Sequence, residues 1–176
     1  MADGAGDDDV RIGRALDRLE RAVARQPGFG RDTRSCATTL VDGVRCRSEE
    51  RDVTIVTDLP SGLGGHGSAP APATLLRASL GSCLAMGYRL RANRYGITIG
   101  SLRVVVETDA QVQGMLCQDS IVPPGFTDVR YHVEIEAGAG TDVAAVEAMI
   151  GEADRLSPML DVVARAHALE RPVAIR

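Results

Sequence analysis

The chain has 176 residues, enough for one domain with a sizeable core and too few for two ordinary ones. Its net charge of −4, with no basic patch interleaved with aromatic residues, leaves no electrostatic footprint for nucleic acid. Tryptophan is absent and aromatic residues make up only 3%, so the core has to be built from Val, Leu, Ile, Ala and Met.

No apolar run reaches the roughly 18 residues that a membrane span requires. The opening Met-Ala-Asp-Gly-Ala-Gly-Asp-Asp-Asp is acidic, the opposite of a secretory leader. The expectation is a cytoplasmic protein without a membrane partner. Cys36, Cys46, Cys83 and Cys117 show no C-x-x-C spacing, which argues against a zinc site or a thioredoxin-type motif. In a reducing compartment they are free thiols, and no metal or cofactor is expected.

Residues 1–9 read as a disordered acidic tail. Over 10–25, Ile12, Leu16, Leu19 and Val23 recur at helical spacing among arginines, which predicts an amphipathic helix ended by Pro27-Gly28. That helix packs on its own domain or on a partner subunit. Residues 1–30 thus form an appendage to a domain at 31–176. The domain begins with β-prone runs at 36–41 and 44–47 around Asp42-Gly43, a hairpin turn, followed by a half-buried strand at 53–57. A Gly/Pro-rich stretch at 59–72 reads as irregular loop, with His66 solvated within it.

Residues 72–96 predict the longest helix, opened by Pro72 and closed by Gly96, apolar nearly all round and carrying Cys83. Strands follow at 99–108 and 129–137, joined by a long connection that holds Cys117. Asp142 caps a further helix, Pro158 starts another, and residues 172–175 make a last short strand. One chain has too few elements to bury such a central helix, so the pattern predicts an intertwined homodimer.

In Leu63-Gly64-Gly65, Pro70-Ala71-Pro72 and Leu75-Leu76-Arg77-Ala78-Ser79-Leu80-Gly81-Ser82-Cys83-Leu84-Ala85-Met86 the chain resembles the OsmC/Ohr family of thiol-dependent hydroperoxide reductases. The resemblance spans about residues 31–176. It implies an α+β fold, an intertwined homodimer with two antiparallel-rich sheets around paired central helices.

By the same resemblance Cys83 occupies the place of the peroxidatic nucleophile. Ser157-Pro158 stands where the family has its resolving Cys-Pro, and Ala73 or Thr74 where it has a Glu before the helix. The family's hairpin Arg falls on Val41, with Arg45 and Arg47 beyond the turn as the cations that would hold Cys83 as thiolate. Cys117 is a candidate substitute for the resolving thiol.

Two functions follow from these departures. One is a one-cysteine organic hydroperoxide reductase or redox sensor, regenerated by an external thiol. The other is a non-catalytic binding protein that holds a small apolar ligand in the dimer pocket, lined by Leu80, Cys83, Leu84 and the 111–128 connection.

Overall fold

The computed structural model describes residues 3–116, 121–169, 171, 173 and 175. The chain divides into two compact units, Met1–Ala78 and Ser79–Arg176.

The first unit opens with helix α1, Asp3–Arg25. It starts well inside the stretch expected to be disordered. Asp7, Asp8 and Asp9 lie in its second turn, and Asp8 pairs with Arg11 three residues on at 2.7 Å. Strands β1 (Ala37–Asp42), β2 (Arg45–Glu50) and β3 (Val53–Thr57) form an antiparallel sheet in that order. Gly43 at the β1–β2 turn has φ +52, a conformation that disfavours any side chain. Thr38 faces Ser48 in the register and their hydroxyls meet at 2.8 Å.

Strand β3 departs from the expected half-buried pattern: every residue but Thr57 is exposed. Leu40, Val53, Ile55 and Val56 all remain at the surface of the single chain, because no layer within the sheet's own unit covers them. In the loop that follows, Ser61–Leu63 form a short 3-10 turn where only irregular chain was expected.

Helix α2, Pro72–Tyr95, runs across the boundary between the units and matches the expected span to within one residue. In the second unit, β4 (Ile99–Ala110) and β5 (Phe126–Ala137) make a two-stranded antiparallel sheet. The register sets Leu102 opposite Ile135, Val104 opposite Val133 and Val106 opposite Tyr131. A period of two puts these residues on one face, and they pack against Leu80, Leu84, Tyr88 and Ala92 of α2 together with Met149 and Ala153. The opposite face is charged: Arg103 pairs with Glu134, and Arg130 with Glu107, Asp109 and Asp128.

The buried residues of α2 recur every four positions, so one stripe is covered while Leu76, Met86 and Leu90 are exposed in the single chain. The β4–β5 connection contains a one-turn helix, α3, Val112–Met115. Gly114 packs closely on Pro123, whose carbonyl oxygen would lie 2.1 Å from a Cβ at that position.

Helix α4, Val143–Arg155, begins as expected with the Asp142 carboxylate accepting from the Ala144 N–H. Helix α5, Pro158–Ala164, has Ser157 as its cap. The expected last strand is only partly described: Pro172 and Ala174 lie outside the described residues, and Val173 and Ile175 belong to no strand. None of the described helices is long and apolar enough to cross a membrane.

Candidate functional site

Cys83 sits at the middle of α2, half-buried, one position before the buried Leu84. Its Sγ lies 3.6 Å from Oγ of Ser157, a residue 74 positions later and only 6% exposed. Ser157 is placed by local chemistry. Proline at the next position suits the first turn of α5, and the serine hydroxyl accepts the Leu160 N–H at 3.3 Å as an N-cap. With one lone pair so occupied, the hydroxyl proton can turn toward the sulfur.

Five residues along α2 from Cys83 lies a second polar group. Tyr88 is fully buried and its hydroxyl donates to Asp154 Oδ1 at 2.6 Å, while Tyr131 from β5 donates to Oδ2 at 2.9 Å. Burial pushes both phenols up, and the carboxylate adds to the rise; Tyr131 reaches about 12. Both therefore remain donors at any physiological pH. Asp154 is tied in turn to the cysteine's partner, since its backbone carbonyl accepts the Ser157 N–H at 3.1 Å.

Further along, Glu152 receives Arg91 at 3.2 Å and the Tyr95 hydroxyl at 2.7 Å. Gly81, two residues before Cys83, faces β4, where a Cβ would make ordinary van der Waals contact with a Val106 methyl at 3.4 Å.

Arg45 and Arg47 are on β2, in the first unit. Arg47, on the central strand of that sheet, pairs with Glu49 at 3.6 Å, both side chains being about half exposed. Arg45 is half-buried, and its Nε is a buried donor without a hydrogen-bond partner among the described residues. Such a donor is costly to leave unpaired. Cys36 is exposed and Cys46 half-buried, each without another cysteine at bonding distance among the described residues. Cys117 lies outside the described residues. Thr74, at a position where the family has a carboxylate, accepts weakly from Arg77 at 3.4 Å.

The loop before α2 is organised by Asp58, which sequence reasoning passed over. This carboxylate is 1% exposed and accepts from the N–H groups of Leu59, His66 and Ser68 and from the Ser68 hydroxyl. The Ser68 backbone bond is the largest of the effects that bring its pKa down to about 2. His66 itself points out, its Nε2 4.0 Å from Asp42 on an exposed surface. Leu80 and Leu84, expected to line a ligand cavity, are packed into the second unit's core. No group of metal-ligating side chains occurs among the described residues.

The family model described as OsmC-like protein matches residues 65–170. No curated protein matches the chain. Solved structures share the fold. An OsmC-like protein from Mycoplasma pneumoniae superposes with TM-score 0.63 at 16% identity, over 76% of this chain and 88% of the other. An OsmC-like protein of unknown function from Vibrio cholerae gives 0.60 at 13%, over 75% and 94%. An organic hydroperoxide resistance protein from Elizabethkingia anophelis gives 0.56 at 18%, over 76% and 90%.

Proposed function

This chain belongs to the OsmC family, and from that premise we propose that it is a one-cysteine organic hydroperoxide reductase with Cys83 as its nucleophile. The observation that carries the reading is the Cys83–Ser157 pair at 3.6 Å. A hydroxyl beside the sulfur can hydrogen-bond a thiolate and then a sulfenate, yet cannot form a disulfide with either.

The thiolate of Cys83 attacks the terminal oxygen of an alkyl hydroperoxide; the S–O bond forms, the O–O bond breaks, and the alkoxide leaves and takes a proton to become the alcohol. The resulting sulfenic acid reacts with an external thiol, releasing water and forming a mixed disulfide. A second thiol reduces that disulfide and returns Cys83. Arg45 is the better candidate for the cation that favours thiolate, because its buried Nε lacks a partner among the described residues while Arg47 already has Glu49.

The protein acts as a homodimer in this proposal. Support comes from the apolar residues left uncovered in the single chain, namely Met86 and Leu90 on α2 and Leu40, Val53 and Ile55 on the first sheet.

The test is to expose the reduced protein to an alkyl hydroperoxide, trap with a sulfenate-specific reagent and locate the label by mass spectrometry. Label on Cys83, lost in Cys83→Ser, is expected, together with consumption of hydroperoxide when a small thiol is supplied. An unlabelled Cys83 with no consumption overturns the reductase and leaves the ligand-binding alternative. Arg45→Met is expected to slow labelling more than Arg47→Met.

A further inference from the structure

We propose that Asp154 is a positioning residue for Cys83: held by Tyr88 and Tyr131, it keeps the Ser157 hydroxyl against the sulfur and so sets the reactivity of the thiol. The proposal rests on Cys83 being the reacting residue.

Helix α2 and the end of α4 meet through side chains that pair in reverse order. Cys83 faces Ser157 at 3.6 Å, Tyr88 reaches Asp154 at 2.6 Å, and Arg91 and Tyr95 reach Glu152 at 3.2 and 2.7 Å. Positions rising along α2 thus meet positions falling from Ser157 back into α4, an antiparallel ladder whose rungs fix one register. Tyr131 adds a hold from outside the two helices, donating from β5 to the second Asp154 oxygen at 2.9 Å.

The Asp154 rung is better shielded than the Glu152 one. Tyr88 is fully buried, whereas the side chains of Arg91 and Glu152 are 34% and 26% exposed. Hydrogen bonds to a carboxylate are among the strong ones, and shielding from water strengthens them further. Two donors from two elements also fix the direction of the carboxylate, which the apolar packing of Met149 and Ala153 does not, being non-directional.

From Asp154 to the sulfur the connection is short. The Leu156 N–H bonds to the carbonyls of Glu152 and Ala153 at 3.2 Å, and the Ser157 N–H to the Asp154 carbonyl at 3.1 Å. The segment 154–157 therefore moves as one body with the end of α4. At 3.6 Å the contact between the Ser157 hydroxyl and Cys83 is already long, and a displacement of about 1 Å is enough to lose it. A donor at the sulfur favours thiolate over thiol, so losing it leaves Cys83 less nucleophilic.

The test is iodoacetamide alkylation of the full reduced chain over a pH series, with the rate at Cys83 read by peptide mass spectrometry. Tyr88→Phe combined with Tyr131→Phe keeps both rings and the carboxylate while removing both donors. This double variant is expected to alkylate Cys83 about five-fold more slowly at neutral pH, with the midpoint of its pH profile raised as in Ser157→Ala. Adding Ser157→Ala to it should slow alkylation no further. A rate and midpoint equal to those of the unaltered protein overturn the proposal, whatever the melting temperature does. An additive loss in the triple variant also overturns it, since the phenols would then act on Cys83 by another route. Alkylation needs no peroxide, so a Cys83 that shows the expected pattern but forms no sulfenate overturns the reductase and leaves the positioning role of Asp154 standing.

Discussion

Tyr88 and Asp154 are 66 positions apart and joined by a 2.6 Å hydrogen bond, which fastens the Cys83 helix to the end of α4 that leads into Ser157. Tyr131 takes the other carboxylate oxygen, so α2, β5 and α4 meet at one side chain. Replacing that carboxylate with a methyl group strands two phenolic hydroxyls. Asp154→Ala is expected to destabilise the fold by about 1–3 kcal/mol for each hydroxyl left without a partner, read from urea unfolding. Tyr88→Phe, which leaves the Tyr131 bond in place, should cost less than Asp154→Ala. Equal losses would show that the two bonds do not act together.

Ser157 gives the sharpest chemical prediction. Ser157→Cys sets a second sulfur where the hydroxyl lies 3.6 Å from Cys83 Sγ. Oxidation by an alkyl hydroperoxide is then expected to end in a disulfide between Cys83 and the introduced thiol, with the sulfenate label disappearing, as read by peptide mapping. Ser157→Ala removes the hydroxyl donor, and slower alkylation of Cys83 at neutral pH is expected. An alkylation rate equal to that of the unaltered protein would deny Ser157 any hold on the sulfur.

Asp58 makes part of the stability depend on pH. Its pKa falls from the ordinary 3.8 to about 2 on folding. The unfolded chain therefore binds the proton more readily, and the contribution is whole above the ordinary value and lost as pH drops through the lower one. In Asp58→Asn the decline in melting temperature between about pH 5 and pH 2 should be shallower than in the unaltered protein. Parallel curves would assign the acid sensitivity to other carboxylates such as Asp109, which Arg130 holds below its ordinary range.

Two glycines of the same loop are expected to behave oppositely. A Cβ on Gly65 would fall 1.9 Å from the Leu59 carbonyl oxygen, backbone that cannot step aside, whereas a Cβ on Gly62 meets nothing within 4 Å. Gly65→Ala should cost about 3 kcal/mol or more, and Gly62→Ala should leave the melting temperature nearly unchanged. A tolerated Gly65→Ala would mean that the Asp58 clamp is looser than its hydrogen bonds indicate.

Much of the fold was legible because local signals agreed. Asp-Gly marked the first hairpin, Pro72 and Gly96 bracketed α2, and strict alternation from Val129 to Ile135 marked β5. The start of α1 was misread because low hydrophobicity was weighed above local helical charge pairing such as Asp8 with Arg11. The exposure of β3 was missed for a different reason. Alternation shows which residues need cover, but it does not say whether one chain supplies it.

The site was legible only in part. Cys83 and Ser157 could be named from sequence motifs, but their separation of 3.6 Å required the α4–α5 corner to be folded. The Asp154 junction left a fainter trace. Tyr88 falls four residues after Leu84 on the buried stripe, and a buried phenol needs a partner, yet nothing local says that the partner is Asp154. Asp58 was overlooked because its partners are mostly backbone N–H groups, which sequence does not distinguish.

Among the described residues the sheet formed by β4 and β5 has two strands, so each twelve-residue strand has one flank of backbone groups turned away from its partner. Such a flank is a template: an extended segment laid beside it finds donors and acceptors already at the right interval. Arg130 and the three carboxylates gathered around it mark one end of that ribbon with charge, and the Arg103–Glu134 pair marks its middle, so charged side chains guard the flank along much of its length. A chain caught half-folded, with this ribbon made and its neighbours absent, would be a seed for aggregation.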